Sequence, residues 1–154
     1  MKTRELTESQ ITAWTNYQRM RLRLTERMNR QLTEKTGLSE ADFEILTALT
    51  ETPAESVRAI ALRCGLEWEK SRLSHQLKRM EARGLVMRED CVEDNRGAVI
   101  RATELGRKLA AEARVYYEED LREYVIDVLS PDQLDALGDI AETILSRFEK
   151  THKA

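Results

Sequence analysis

Residues 67–86 read Glu67-Trp-Glu-Lys70-Ser-Arg-Leu-Ser-His75-Gln-Leu-Lys-Arg-Met80-Glu-Ala-Arg-Gly84-Leu-Val86. Counting from Leu66, the apolar positions Leu73, Leu77 and Met80 recur at the spacing that buries one stripe of an α-helix. A helix is therefore expected over 67–83. Gly84 stops it, because glycine accepts the left-handed backbone needed just past a last turn, and Leu85 can then fold back on Met80. At about 100° per residue, Leu66, Leu73, Leu77, Met80 and Gly84 share one side, while Trp68, Ser71, Arg72, His75, Lys78, Arg79 and Ala82 share the other. That outer side carries no acid, although Glu67, Glu69 and Glu81 flank it.

Working outward, three helix starts share one grammar: a hydroxyl side chain caps free backbone N–H groups, and the apolar residue before it packs on one in the first turn. Thr7 with Gln10 makes a capping box, stapled by Leu6 and Ile11. Ser39 caps a helix over 40–50 that has Asp42 in its third position and Leu38 facing Phe43. Ser130 with Gln133 makes another box, with Pro131 at the tolerated first position and Leu129 facing Leu134. The first helix is expected to run over 8–36 and to stop at Gly37. After Thr52-Pro53, Ser56 reads as the cap of a short helix over 57–63, and Cys64-Gly65-Leu66 as the turn into the helix at 67.

Downstream, 85–90 and 98–102 are short, partly β-branched runs separated by Glu93-Asp-Asn-Arg-Gly97, which reads as a β-hairpin. Helix returns after Thr103. The expected fold is mainly α with a small β-hairpin. The order short helix, tight turn, longer helix, hairpin is that of a winged helix-turn-helix.

Charge supports a nucleic-acid role for this region. The chain has a net charge of −3, yet residues 58–108 hold twelve Lys or Arg against eight Asp or Glu, a local +4. Phosphate attraction follows the local balance rather than the whole-chain sum. On the outer face, Arg binds guanine bidentately, His and Ser reach base edges, and Lys neutralises phosphate. Base reading is assigned to Ser71, Arg72 and His75, and phosphate contact to Lys78 and Arg79. Ser56, Trp68, Lys70 and Gln76 complete the helix-side set. In the hairpin, Arg96 sits at the tip, where a guanidinium can enter a narrow minor groove. Asp94 can hold an arginine in place, and Asp94-Asn95 serves equally well as ordinary turn chemistry.

Residues 56–108 resemble the DNA-binding core of the MarR family, the multiple-antibiotic-resistance regulators. The resemblance rests on the Lys70–Glu81 run, the exit Arg83-Gly84-Leu85-Val86, and Asp94-x-Arg96 followed by Thr103 and Gly106-Arg107. Where that family usually has Leu before the Thr, this chain has Ala102. The order of the flanking helices extends the likeness to almost the whole chain. It implies one domain over 1–154, with the winged helix-turn-helix over 39–103 and dimerisation helices over 8–36 and 104–150. It also implies a dimeric regulator, often a repressor relieved by a small anionic or phenolic effector or by thiol oxidation. Such effectors often sit between the dimerising helices and the winged region, where Trp14, Tyr17 and Arg21 are the candidate lining. Aromatics at helical spacing also simply pack.

A physical argument for a homodimer stands beside the resemblance. Apolar stripes run through Tyr17, Met20, Leu24, Met28 and Leu32 near one end of the chain and through Leu134, Leu137, Ile140, Ile144 and Phe148 near the other. They exceed what one small winged region can cover, and burying them against a second copy is favourable at about 25 cal/mol per Å². Two reading helices about 34 Å apart would face a near-palindromic site on double-stranded DNA.

Other classes fit less well. The histidines are His75 and His152, and no HExxH, GxSxG or phosphate-cradling glycine loop occurs, so no catalytic residue, metal site or cofactor is expected. Cys64 and Cys91 lack CxxC spacing and are expected as reduced thiols. An oxidation-sensing regulator using either one, or a helical interaction protein that does not bind DNA, is the alternative. Redox-sensing members of the family generally carry a cysteine in the first helix, and here that helix has none. Residues 1–10 lack the apolar stretch of a signal peptide, and no run approaches the roughly 18 apolar residues of a membrane span. The expected location is cytoplasmic.

Overall fold

The structure, a computed structural model, describes residues 4–54, 56–90 and 97–152. The chain falls into two compact units, residues 1–117 and 118–154.

The first unit opens with α1 (Glu8–Thr36), whose capping box forms as expected: the Thr7 N–H donates to Gln10 Oε1 at 2.9 Å and the Gln10 N–H to Thr7 Oγ1 at 3.2 Å. Gly37 closes it in the left-handed region at φ 71°, its N–H donating to Thr33 O at 2.9 Å. The chain re-enters helix at once in α2 (Glu40–Thr50), with a reciprocal box between Ser39 and Asp42. Leu38, between the two helices, is fully buried.

The next segment departs from expectation. Ser56 caps nothing; Val57–Arg58 is a strand, β1, and the short helix α3 follows at Ala59–Leu66 with Arg58 as an N-cap that makes no side-chain bond. The turn after α3 is built by Glu67 at φ 57°, ψ 36°, not by Gly65. The Glu67 and Trp68 N–H groups close the end of α3 on Cys64 O and Arg63 O, at 3.3 and 3.2 Å. α4 consequently starts at Lys70 and ends at Ala82, three residues later than periodicity placed its start.

A side chain in the left-handed region is strained, and glycine is not. Glu67→Gly is therefore expected to stabilise the fold by about 0.5–1 kcal/mol after the extra unfolded-chain entropy of glycine is subtracted. A higher urea midpoint would show it; an unchanged or lower midpoint would mean that the Glu67 side chain contributes more than its backbone costs.

The end of α4 is a Schellman motif. Gly84 has φ 73°, the Leu85 N–H reaches Met80 O, and the Gly84 N–H reaches Glu81 O, both at 3.0 Å. The hairpin forms from β2 (Val86–Asp90) and β3 (Ala98–Ala102), paired antiparallel from Val86↔Ala102 to Asp90↔Ala98. It gains a third member, since β1 pairs with β3 through Val57↔Ile100 and Arg58↔Val99, in the order β1-β3-β2. As the central strand, β3 buries alternate residues Ala98, Ile100 and Ala102. α5 (Glu104–Leu121) follows, and the boundary between the two units falls inside it. The core of the first unit gathers Leu38, Ile45, Leu46, Leu62, Met80, Leu85 and Ile100 around Trp68, Leu73 and Leu77.

In the second unit, a π-helical stretch, Arg122–Ile126, is followed by α6 (Pro131–His152). The expected box at its start is present, with the Ser130 N–H donating to Gln133 Oε1 at 3.0 Å and the Gln133 N–H to Ser130 Oγ at 3.2 Å. α6 leaves Leu134, Leu137, Ile140, Ile144, Leu145 and Phe148 exposed. Among the described residues, no helix is long and apolar enough to cross a membrane.

Candidate nucleic-acid interface

α4 presents the two-sided surface its sequence requires. Leu73, Leu77 and Met80 are buried, whereas Lys70, Ser71, Arg72, His75, Lys78 and Arg79 are exposed. The N-cap, Glu69, makes no side-chain bond to the first turn. The turn that carries Lys70, Ser71 and Arg72 therefore keeps backbone N–H groups and the positive end of the helix dipole available to an anion. Glu81, the flanking acid nearest the end of the helix, turns toward the sheet, where its Oε2 accepts the Arg88 N–H at 3.1 Å. The outer face stays free of acid by this geometry as well as by composition.

Two residues of the expected DNA-binding set lie elsewhere than on the exposed face. Trp68 precedes α4, is 8% exposed and belongs to the core, because the left-handed turn at Glu67 breaks the helical phase on which its outward placement relied. It still meets the interface: the Arg72 guanidinium lies over its ring with Cζ 3.9 Å from the centroid, a stacked cation–π arrangement. Gln76 is 6% exposed, with Nε2 donating to Asp42 Oδ1 at 2.6 Å and Oε1 accepting from Arg79. Neither side chain is available as a direct contact; each instead holds an exposed arginine. Ser56 is exposed ahead of β1. Asp94 and Arg96, together with Cys91, lie outside the described residues.

Two basic residues went unassigned in the sequence reading. Arg63 of α3 and Arg88 of β2 join Lys70 around a cavity of about 430 Å³ whose apolar walls include Ile60, Leu73 and Leu77. Both were counted in the local positive charge. Nothing in a single helical or strand period signals that α3, α4 and the sheet bring them together.

Trp14 and Tyr17 are exposed on α1, with ring centroids 5.1 Å apart, while Arg21 donates to Gln18 Oε1 from Nε and Nη2 at 3.2 and 3.1 Å. The structure brings the two rings together and leaves the guanidinium engaged along the same helix. Cys64 is exposed near the end of α3.

The sequence pattern of the MarR family matches residues 38–97. AbsC, a MarR family transcriptional regulator from Streptomyces coelicolor, is 32% identical and superposes with a TM-score of 0.88 over 96% of this chain and 99% of its own. Sco3205, a MarR family transcriptional regulator from the same organism whose crystal structure was solved in complex with DNA, is 30% identical, with a TM-score of 0.87 over 94% and 90%. A curated relative from Bacillus subtilis, the HTH-type transcriptional regulator YdgJ, is 26% identical over 98 residues, which span 64% of this chain and 58% of that protein.

Proposed function

The chain belongs to the MarR family, and from that membership we propose that it is a sequence-specific DNA-binding transcriptional regulator that works as a homodimer. The observation that carries the proposal is the outer face of α4, where Ser71, Arg72, His75, Lys78 and Arg79 are exposed together and acid is absent. The DNA complex of Sco3205, at 30% identity, supports it.

In this reading α4 enters the major groove. Arg72 and His75 meet base edges near the start of the helix, Ser71 assists, and Lys78 and Arg79 hold phosphates. Lys70 and the first-turn N–H groups take a further phosphate, and Arg63 and Arg88 extend the basic surface. Arg96 is assigned a minor-groove contact, and Asp94 the role of supporting an arginine. The exposed apolar residues of α1 (Ile11, Trp14, Tyr17, Met20) and of α6 (Leu137, Ile140, Ile144, Phe148) are the surfaces a second copy would cover. A two-fold dimer presents its reading helices about one turn of DNA apart, and so reads a near-palindromic operator. Repression, cytoplasmic location and relief by a small anionic or phenolic effector near Trp14, Tyr17 and Arg21 complete the reading. Catalysis forms no part of it.

The test is binding of the purified full-length chain to DNA fragments from its own upstream region, followed by fluorescence anisotropy across a salt series. The logarithm of the association constant should fall linearly with the logarithm of salt concentration. Arg72→Ala should weaken the preferred site by about 1–3 kcal/mol and relax discrimination at one base pair, while Lys78→Ala should weaken all sequences alike. Binding that is absent, or that is insensitive to salt, would exclude the DNA-reading role.

A further inference from the structure

Gln76 is out of place on α4 by composition. It shares the inward side with Leu73, Leu77 and Met80 and is nearly as buried as they are, and a carboxamide there must find a partner at each end. Its partners belong to different surfaces. Nε2 donates to Asp42 Oδ1 at 2.6 Å, and Oε1 accepts from the exposed Arg79 through Nη2. Asp42 is itself 1% exposed. Its Oδ2 accepts the Ser39 N–H at 2.9 Å and Arg83 Nη1 at 2.6 Å, and Arg83 Nη2 goes on to the Gly37 carbonyl at 2.8 Å. A continuous hydrogen-bonded path thus runs from the corner between α1 and α2, through the core, to a guanidinium on the outer face of α4.

The chemistry of the path fixes its direction. An ionised carboxylate only accepts, so Asp42 requires the NH2 end of the Gln76 amide. The amide oxygen must then face the other way, where Arg79 supplies the donor. Arg79 is exposed and long, and a guanidinium held in place by a buried acceptor loses less freedom when it meets a phosphate than one that is free to sample its rotamers.

We propose that Gln76 and Asp42 are positioning residues for phosphate binding by Arg79, and that through them DNA affinity is coupled to the backbone corner at Gly37–Ser39. The proposal rests on the DNA-reading function above. A shift of that corner that withdraws Asp42 releases the amide to turn, and a turned amide offers Arg79 a donor where it needs an acceptor. The DNA face is thereby linked to the corner between α1 and α2.

An isosteric substitution tests the path at its buried end. In Asp42→Asn, the Ser39 N–H and Arg83 both still demand oxygen at the position of Oδ2, so the new NH2 group faces Gln76 and reverses its amide. Asp42→Asn, Gln76→Met, Arg79→Ala and each buried change combined with Arg79→Ala are compared in the full-length protein, after melting curves confirm folding. The readout is binding to the preferred fragment across a salt series. Each buried change alone should lower the salt slope by about one, the signature of one lost phosphate contact, and weaken binding several-fold. In the Arg79→Ala background neither should have any additional effect.

Equal losses in both backgrounds, or an unchanged slope in both single variants, would overturn the relay while leaving the DNA-reading function standing. Should one buried variant fail to fold, the other decides by the same criterion; should both fail, Asp42 and Gln76 serve the fold and the relay is overturned. If the unsubstituted chain shows no salt-dependent binding, the DNA-reading function fails and the relay fails with it.

Discussion

Gly106→Ala is expected to lower the melting temperature by about 10 °C, the shift that a loss of about 3 kcal/mol produces in a chain of this size. A Cβ at this position would stand 2.1 Å from the backbone oxygen of Leu85 and 3.1 Å from Leu46 Cδ2. The leucine methyl can turn aside, but the carbonyl cannot. Leu85 O accepts the Thr103 N–H at 3.1 Å, and the Leu85 N–H closes the Schellman end of α4. Thr103 Oγ1 also donates to Gly84 O at 2.6 Å and accepts the Gly106 N–H at 3.0 Å. The first turn of α5 is therefore bonded onto the exit of α4 through one threonine, and the glycine makes the close approach possible. Relieving the clash means lifting α5 off that joint. Thermal and urea unfolding at fixed protein concentration measure the loss, and a melting temperature within about 2 °C of the unsubstituted chain would show that the joint yields at little cost.

Trp68→Ala is expected to cost about 3–5 kcal/mol of stability, the range for emptying a buried aromatic site, and also to weaken base discrimination. The two effects have separate origins. The ring belongs to the core beneath α4, and its face supports the Arg72 guanidinium at 3.9 Å. Trp68→Phe, which keeps an aromatic face, should retain most of the discrimination and lose about 1 kcal/mol or somewhat more through reduced volume. Arg72→Ala should do the reverse, sparing stability to within about 1 kcal/mol while relaxing discrimination at the base pair it reads. Urea unfolding gives the first quantity, and anisotropy on the preferred site and on single-base-pair variants gives the second. If Trp68→Ala discriminates as well as the unsubstituted chain once folded, the stack plays no part in reading.

These expectations depend on features of unequal legibility. Helix ends were readable because their chemistry is local. The boxes at Thr7–Gln10, Ser39–Asp42 and Ser130–Gln133, and the left-handed glycines 37 and 84, each involve residues within a few positions of one another, and the structure contains all of them. The inward stripe Leu73, Leu77, Met80 was equally plain, since one helical period determines it.

The misplacements share a different cause. Periodicity carried the reading helix back through Glu67, where the backbone is left-handed, so Trp68 was assigned a face on a helix that begins at Lys70. The two-residue strand β1 carries no periodic signal and exists because β3 offers it an edge. Gln76 was counted among the DNA-binding residues, yet it lies inward because Asp42, 34 positions away, supplies the acceptor that makes its burial tolerable. The same distance in sequence hides Arg63 and Arg88, which meet Lys70 only where α3, α4 and the sheet converge.

By itself, then, the sequence determined the two ends of α1 and α2, the start of α6 and the glycine exit of α4, which side of α4 is apolar, and that its other side is basic and free of acid. Capping, glycine geometry and helical phase act over a turn or two, and they leave their mark in neighbouring residues. Only the tertiary structure decided how that basic side is aimed. The directions of Arg72 and Arg79 are set by a buried ring and a buried amide, and the amide is held by a carboxylate from another helix, so partners this distant in sequence become neighbours only when the core closes.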